Sequence, residues 1–325
     1  MISRVAEHCF WFGRYLDRAE SAARLLQVTR ALVFDADVPV TQCWQPLVIV
    51  SGAYPEMVAR HGAAATGNGE AVQSFLVWNR ENPASLYHSV QAGRASARVI
   101  RDALSLEIWE EMNELFHWLG SQSAVGLYRE DREAFYDRIR KSTQLVLGLV
   151  RSTMLHDTPM SFLWMGVMLE RAGQIARILD IHHHTMEREQ QGTHEIVEMA
   201  MWLSLLKACS GHEAFMRKHQ GLVSPAEVAS FLFFDDQFPR SLRYCVRSAR
   251  RILDDIWPPA EDRAPRGSRS RLDGLIAWID EQNRALAPGR IHELLTHVVD
   301  ETALACSHIE TEIAGPTPSA NMTRA

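Results

Sequence analysis

Apolar residues recur at intervals of three and four along most of the chain, the period of helices that each bury one face. In "WFGRYLDRAESAARLL" (11–26), Phe12, Leu16, Ala19, Ala23 and Leu26 form one apolar line. Trp11, Tyr15, Arg18, Ala22 and Leu25 form the neighbouring line, and Arg18 is its only charge. Period-2 runs with turn punctuation are scarce, so strands are not expected. The pattern predicts helices near 3–33, 83–104, 105–120, 130–154, 159–188, 195–220, 239–256, 270–285 and 289–313. The short β-branched piece "WQPLVIVSGAY" (44–54) reads as a further helix with a proline near its start. Helix starts are predicted at Asn82-Pro83, at Thr158-Pro159 and at the capping box Ser224–Glu227. Residues 61–70 read as a loop, 127–131 as a helix break, 258–271 as an exposed linker and 314–325 as a disordered tail. The fold class is therefore all-α, a multi-helix bundle.

A second stretch, "WMGVMLERAGQIARIL" (164–179), repeats the first at an offset of 153 residues. Trp11, Gly13, Leu16, Arg18, Ala19, Ala23, Arg24 and Leu26 match Trp164, Gly166, Leu169, Arg171, Ala172, Ala176, Arg177 and Leu179. Asp17 matches Glu170, another acid. The period is too long for a solenoid and points to two pseudo-symmetric halves, about 1–155 and 156–313. The small residues Gly13, Ala19 and Ala23 permit close approach of helices. An arginine on a buried line must be paired. Adjacent side chains on a helix diverge, so Asp17 is expected to pair with Arg171 and Glu170 with Arg18, across an interface.

Further arginines recur at helical spacing. Arg94, Arg98 and Arg101 share one face, and Arg240 and Arg243 follow Pro239 near Asp235 and Asp236. Guanidinium forks bind carboxylates and phosphates, so Arg18, Arg171, Arg94, Arg98, Arg101 and Arg240 are candidates to line an anion site. Asp17, Arg18, Arg24, Glu170, Arg171 and Arg177 equally suit ion pairs that only lock two helices together. Arg247, Arg250 and Arg251 read as a solvated face.

Composition narrows the classes. Of 325 residues, 46% are apolar and 23% charged, enough for a sizeable core. A net charge of −6 without a basic tract argues against nucleic acid as partner. No apolar run is long enough for a membrane span, and the first residues lack the pattern of a signal peptide, so a cytoplasmic location is expected. The cysteines Cys9, Cys43, Cys209, Cys245 and Cys306 are widely spaced and read as buried thiols. His182, His183 and His184 are consecutive, and although Asp180 and His184 could share a face, no metal site is expected. No nucleotide-binding loop or nucleophile motif is present, and no cofactor is implied.

The two acid–arginine stretches, the opening "ISRVAEHCFWFGRYLDRAESAARLL", "QAGRASARVIRDALSLEIWEEMNEL" and "FLFFDDQFPRSLRYCV" together resemble the Alpha-E domain family. These are bacterial all-helical proteins with an acid–arginine motif. The resemblance covers roughly 1–313 as one domain. It departs at Ala95-Ser96, where the family has an acid and Asn, and at Asp17, where Glu is commoner. The resemblance implies association with circularly permuted ATP-grasp proteins and transglutaminase-like proteins, in a system forming or processing peptide bonds. An accessory or ligand-binding component is then expected, holding an anionic peptide, amino acid or phosphorylated intermediate. An enzyme using Glu170 or Asp17 as acid or base, and a purely structural scaffold, are the alternatives. No stand-alone activity is implied.

Overall fold

A computed structural model describes residues 3–35, 40–189, 195–220, 223–259, 266–282 and 291–315. Among them are fifteen α-helices, two short 3-10 turns and no strand. In chain order the helices are α1 Ser3–Asp35, α2 Val40–Val50, α3 Tyr54–His61, α4 Gly69–Trp78 and α5 Leu86–Val99. Then come α6 Leu106–Leu119, α7 Gln122–Glu130, α8 Arg132–Thr153, α9 Thr158–Glu189 and α10 Glu195–Ala208. The last five are α11 His212–His219, α12 Pro225–Phe234, α13 Leu242–Ile256, α14 Gly267–Gln282 and α15 Ile291–Ala314.

The two acid–arginine stretches lie on α1 and α9, which cross at the centre of the bundle. Helices α5 and α8 pack on α1, while α13 and α15 pack on α9. Two glycines set the closeness of the crossing. A Cβ at Gly13 would stand 2.0 Å from the Leu163 carbonyl oxygen, and one at Gly166 would stand 2.1 Å from that of Phe10. The backbones touch where a side chain would otherwise hold them apart. Phe10, Phe12, Leu16, Ala19, Ala23 and Leu26 of α1 are buried in the same core as Leu163, Leu169, Ala172 and Ala176 of α9.

Several helix starts are set by hydrogen-bonding side chains. Ser85, Ser105, Ser121, Asp131, Ser224 and Ser241 each accept a bond from the amide three residues on, satisfying an orphan donor of the first turn. The predicted start at Asn82-Pro83 is displaced to Ser85, because the Asn82 side chain bonds the Ala84 amide in a turn. The start at Thr158-Pro159 moves to Asp157, whose carboxylate accepts from the Met160 amide. The box at Ser224–Glu227 forms as expected, with Pro225 opening α12. The span read as one helix over 195–220 is broken, since Ser210 turns left-handed (φ 54) ahead of Gly211 and ends α10. The loop read over 61–70 holds a 3-10 turn at Ala63–Gly67 and the start of α4. Pro46 sits inside α2 rather than near its start.

All five cysteines are buried, and none is in a disulfide. The side chains of Asp180 and His182–His184 lie outside the described residues, as do 260–265 of the linker and 316–325 of the tail. Among the described residues no helix is long and apolar enough to cross a membrane, and no group of three or more His, Cys, Asp or Glu side chains is placed to hold a metal.

Candidate functional site

One turn beyond the glycine crossing, the charged residues of α1 and α9 meet in two clusters. Arg171 donates to Asp17 Oδ1 from Nε (3.0 Å) and Nη2 (2.7 Å). Arg18 grips Glu170 with both prongs of its fork, Nε to Oε1 at 2.7 Å and Nη2 to Oε2 at 2.8 Å. The pairing is thus crossed between the helices, in the arrangement that a helical wheel dictates once the acid cannot face its own neighbour.

In the first cluster the carboxylates are closed off from solvent, although Arg24 and Gln144 border a separate cavity of about 520 Å³. Asp17 and Glu20 are 0% exposed. Glu20 accepts from Arg240 Nη2 (2.8 Å), Gln144 Nε2 (3.1 Å) and Arg24 Nε (3.0 Å), with a second, shorter bond from Arg24 Nη2. Burial alone would raise the Glu20 carboxyl, but Arg240 and Arg24 overcome it and lower it to about 2. Asp17 is raised, because burial outweighs the pull of Arg171 and Arg240. Its Oδ2 is buried without a hydrogen-bond partner. Arg171 also reaches the Pro239 carbonyl at 3.3 Å.

The second cluster is open. Besides Arg18, Glu170 accepts from Arg14 Nε (3.0 Å) and Gln174 Nε2 (3.0 Å). Burial works to raise the Glu170 carboxyl, and Arg18 and Arg14 more than reverse it, holding it well below the usual carboxylate range. Arg14 also meets Glu310 at 3.4 Å. Beside this group is a cavity of about 270 Å³, lined among others by Arg14, Arg18, Ala84, Glu170, Gln174 and Arg177. Among the described residues no carboxylate lies within ion-pairing distance of Arg177. Its guanidinium is held below its ordinary value by burial; Glu170 works in the opposite direction, and nearby Arg18 and Arg14 lower it further. Three guanidiniums therefore surround one buried carboxylate and one half-exposed one, leaving an uncompensated positive charge at the cavity wall.

The other predicted arginines are placed elsewhere. Arg94 bonds Asn113 at 2.7 Å and lies over Phe116. Arg98 and Arg101 are exposed, Arg101 above Trp109. None of the three lines the cavity, and Arg240 belongs to the closed cluster. Arg243, Arg247 and Arg250 pair with Asp280 or Asp273. Sequence reasoning passed over Arg14, Glu20 and Gln174, although Arg14 stands four residues before Arg18 and Glu20 four before Arg24. Helical spacing alone puts each of them on its partner's face.

It also passed over a second repeated segment. Phe75, Leu76, Pro83, Ser85, Leu86 and Val90 match Phe231, Leu232, Pro239, Ser241, Leu242 and Val246 at an offset of 156. The loops entering α5 and α13 share their bonds. Asn79 Oδ1 accepts from the amides of Glu81 and Asn82, and Asp235 Oδ1 from those of Gln237 and Phe238. Ser85 and Ser241 then cap the two helices and donate back to the Asn79 and Asp235 carbonyls.

Comparison with known proteins follows the same residues. A family model, Alpha-E, described as a predicted alpha-helical domain with a conserved ER motif, matches residues 1–314. Uncharacterized proteins of Mycobacterium bovis and Mycobacterium tuberculosis are 28% identical over 306 residues. The match takes in 90% of this chain but 33% of each relative, so the chain spans about a third of the length of these proteins. No solved structure matches.

Proposed function

Because the chain belongs to the Alpha-E family, we propose that it is the ligand-binding component of a cytoplasmic ATP-grasp amide- or peptide-ligase system. It holds an anionic amino acid, peptide or phosphorylated intermediate against Arg177. The observation that carries this reading is the largely buried guanidinium of Arg177, with no carboxylate in ion-pairing reach among the described residues, beside Arg14 and Arg18 at a cavity. A buried charge without a partner costs more than it returns to stability. An anion arriving from outside accounts for its presence.

The partners are those the family resemblance implies, a circularly permuted ATP-grasp protein and a transglutaminase-like protein. The mycobacterial relatives, whose matching segment is part of a much longer chain, support work alongside further domains. Glu170 serves this reading as a holder of guanidiniums. All four of its hydrogen bonds come from Arg14, Arg18 and Gln174, which leaves a poor general base. Asp17 is fully buried and is not among the residues lining the cavity. We also propose that the halves about 1–155 and 156–313 are related by an internal repeat. The reciprocal glycine contacts, the crossed ion pairs and the matching caps of α5 and α13 support it.

The test is co-purification with the ATP-grasp partner, followed by ATP turnover with and without this protein. A complex and a rise in turnover are expected, and Arg177→Gln should remove the rise while leaving the fold intact. Absence of a complex together with indifferent turnover would overturn the partnership.

A further inference from the structure

We propose that the cavity beside Arg177 is the empty seat of a glutamate–arginine pair, and that its ligand carries a carboxylate on a short aliphatic chain, as a glutamyl group does. The inference rests on the anion-binding reading above and names its ligand class.

The two clusters differ at two matched positions. At the offset of 153, Arg24 corresponds to Arg177, and Glu20 corresponds to Gly173. At the offset of 156, Pro239 corresponds to Pro83, and Arg240 corresponds to Ala84. In the closed cluster Glu20 is held from one side by Arg24 and from the other by Arg240. In the open cluster both sides of that buried ion pair are missing at once. Glycine stands where the acid would be, and alanine stands where its second arginine would be. Pro83 and Ala84 line the cavity, and so does Arg177. The α1 residue that would be its counterpart, Arg24, has its carboxylate four residues earlier on the same helix.

Local geometry agrees. A Cβ at Gly173 would stand 3.8 Å from Arg177 Nη1 and 3.7 Å from Thr302 Oγ1, ordinary contact distances. A Cβ there would touch the guanidinium without a clash, although Gly173 itself is buried and stands outside the cavity lining. A ligand carboxylate that reached the Arg177 guanidinium from the cavity would do for it what Glu20 does for Arg24.

Charge and shape favour a carboxylate over a phosphate. Arg14 and Arg18 are already committed to Glu170, and Arg14 also to Glu310. Three guanidiniums against two carboxylates leave one positive charge, which a single carboxylate balances and a phosphate dianion overshoots. The planar fork of Arg177 matches two coplanar oxygens. The remaining wall includes Leu25, Leu26, Leu47, Leu76 and Ile178, which suits a methylene stem.

Titration calorimetry on the full chain with glutarate, L-glutamate and inorganic phosphate tests this. Glutarate or glutamate should bind the native protein and bind at least tenfold more weakly to Arg177→Gln. Gly173→Glu should abolish binding and raise the melting temperature, since Arg177 then gains an internal partner. The double variant Gly173→Glu/Ala84→Arg should show the same loss with a larger rise. Phosphate binding at Arg177 without carboxylate binding would overturn the ligand class and leave the anion-binding reading standing. If none of these anions binds, both readings fall. Carboxylate binding unchanged in Gly173→Glu would place the site elsewhere and overturn the inference. Should Gly173→Glu not fold, the Arg177→Gln titration decides alone.

Discussion

Arg24 and Arg177 are the same residue type at matching places on α1 and α9, and burial and neighbouring arginines lower both guanidiniums, but their direct partners differ. Arg24 is paired with Glu20, which it shares with Arg240, whereas Arg177 lies near Arg14 and Arg18 with no carboxylate within ion-pairing distance among the described residues. Their replacement should therefore separate stability from binding. Arg177→Met removes an uncompensated buried charge, so stability should stay within about 1 kcal/mol of the native protein or rise, while anion binding is lost. Glu170→Gln does the reverse of neutralising the site. It leaves Arg14 and Arg18 buried against each other and should cost about 3 kcal/mol in urea unfolding. A large loss of stability in Arg177→Met would mean that the arginine has a structural partner and would remove the basis of the binding site.

At the scale of elements, the α1–α9 crossing is the most extensive helix contact among the described residues. Alanine is a better helix former than glycine by about 1 kcal/mol, so Gly166→Ala in an isolated helix would stabilise. Here its Cβ would meet the Phe10 carbonyl, and the helices must part. We expect a net loss of about 3 kcal/mol, with Gly13→Ala equivalent, measurable as a lower midpoint in urea. A neutral Gly166→Ala would show that the crossing is looser than its backbone contacts indicate. This element pair was legible in the sequence because arginine is conspicuous on an apolar line and the line occurs twice. The crossed pairing followed from geometry, since neighbours on a helix cannot face each other. Helix boundaries were less legible. Asn82-Pro83 and Thr158-Pro159 imitate helix starts, but the residues that satisfy the free amides are Ser85 and Asp157. Arg177 was legible only as a member of an ion-pair set. Its distinction lies in what its neighbourhood lacks, Gly173 for Glu20 and Ala84 for Arg240, and an absence becomes visible only once both repeats are aligned. The run Arg94, Arg98 and Arg101 misled because α5 ends at Val99, which puts Arg101 in a 3-10 turn over Trp109, while Arg94 lies over Phe116 and Arg98 is exposed.

For the whole molecule, the consequence of a charged layer at the centre of an apolar bundle is a particular dependence of stability on pH. Glu20 is lowered from 4.5 to about 2, and Glu170 is lowered as well, in each case because arginines outweigh the burial that would raise it. A carboxyl whose folded value is depressed contributes stability that is complete above its unfolded value and is lost as pH falls through the folded one. For Glu20 that window runs from 4.5 down to about 2, and the contribution at stake is about 3 kcal/mol. Asp17 acts in the opposite sense. Burial raises it, so the folded protein takes up its proton before the unfolded chain does, which offsets part of the loss as acid is added. Two glutamates against one aspartate leave a net fall in stability toward acid. The specific check is the gap in melting temperature between the native protein and Glu20→Gln. The variant should melt lower at neutral pH, because Arg24 and Arg240 lose their carboxylate, and the gap should close as pH falls from 4.5 toward 2, where the native Glu20 itself becomes protonated. A gap that stays constant through that window would mean that the Glu20 charge contributes nothing, and that the closed cluster is held by packing alone.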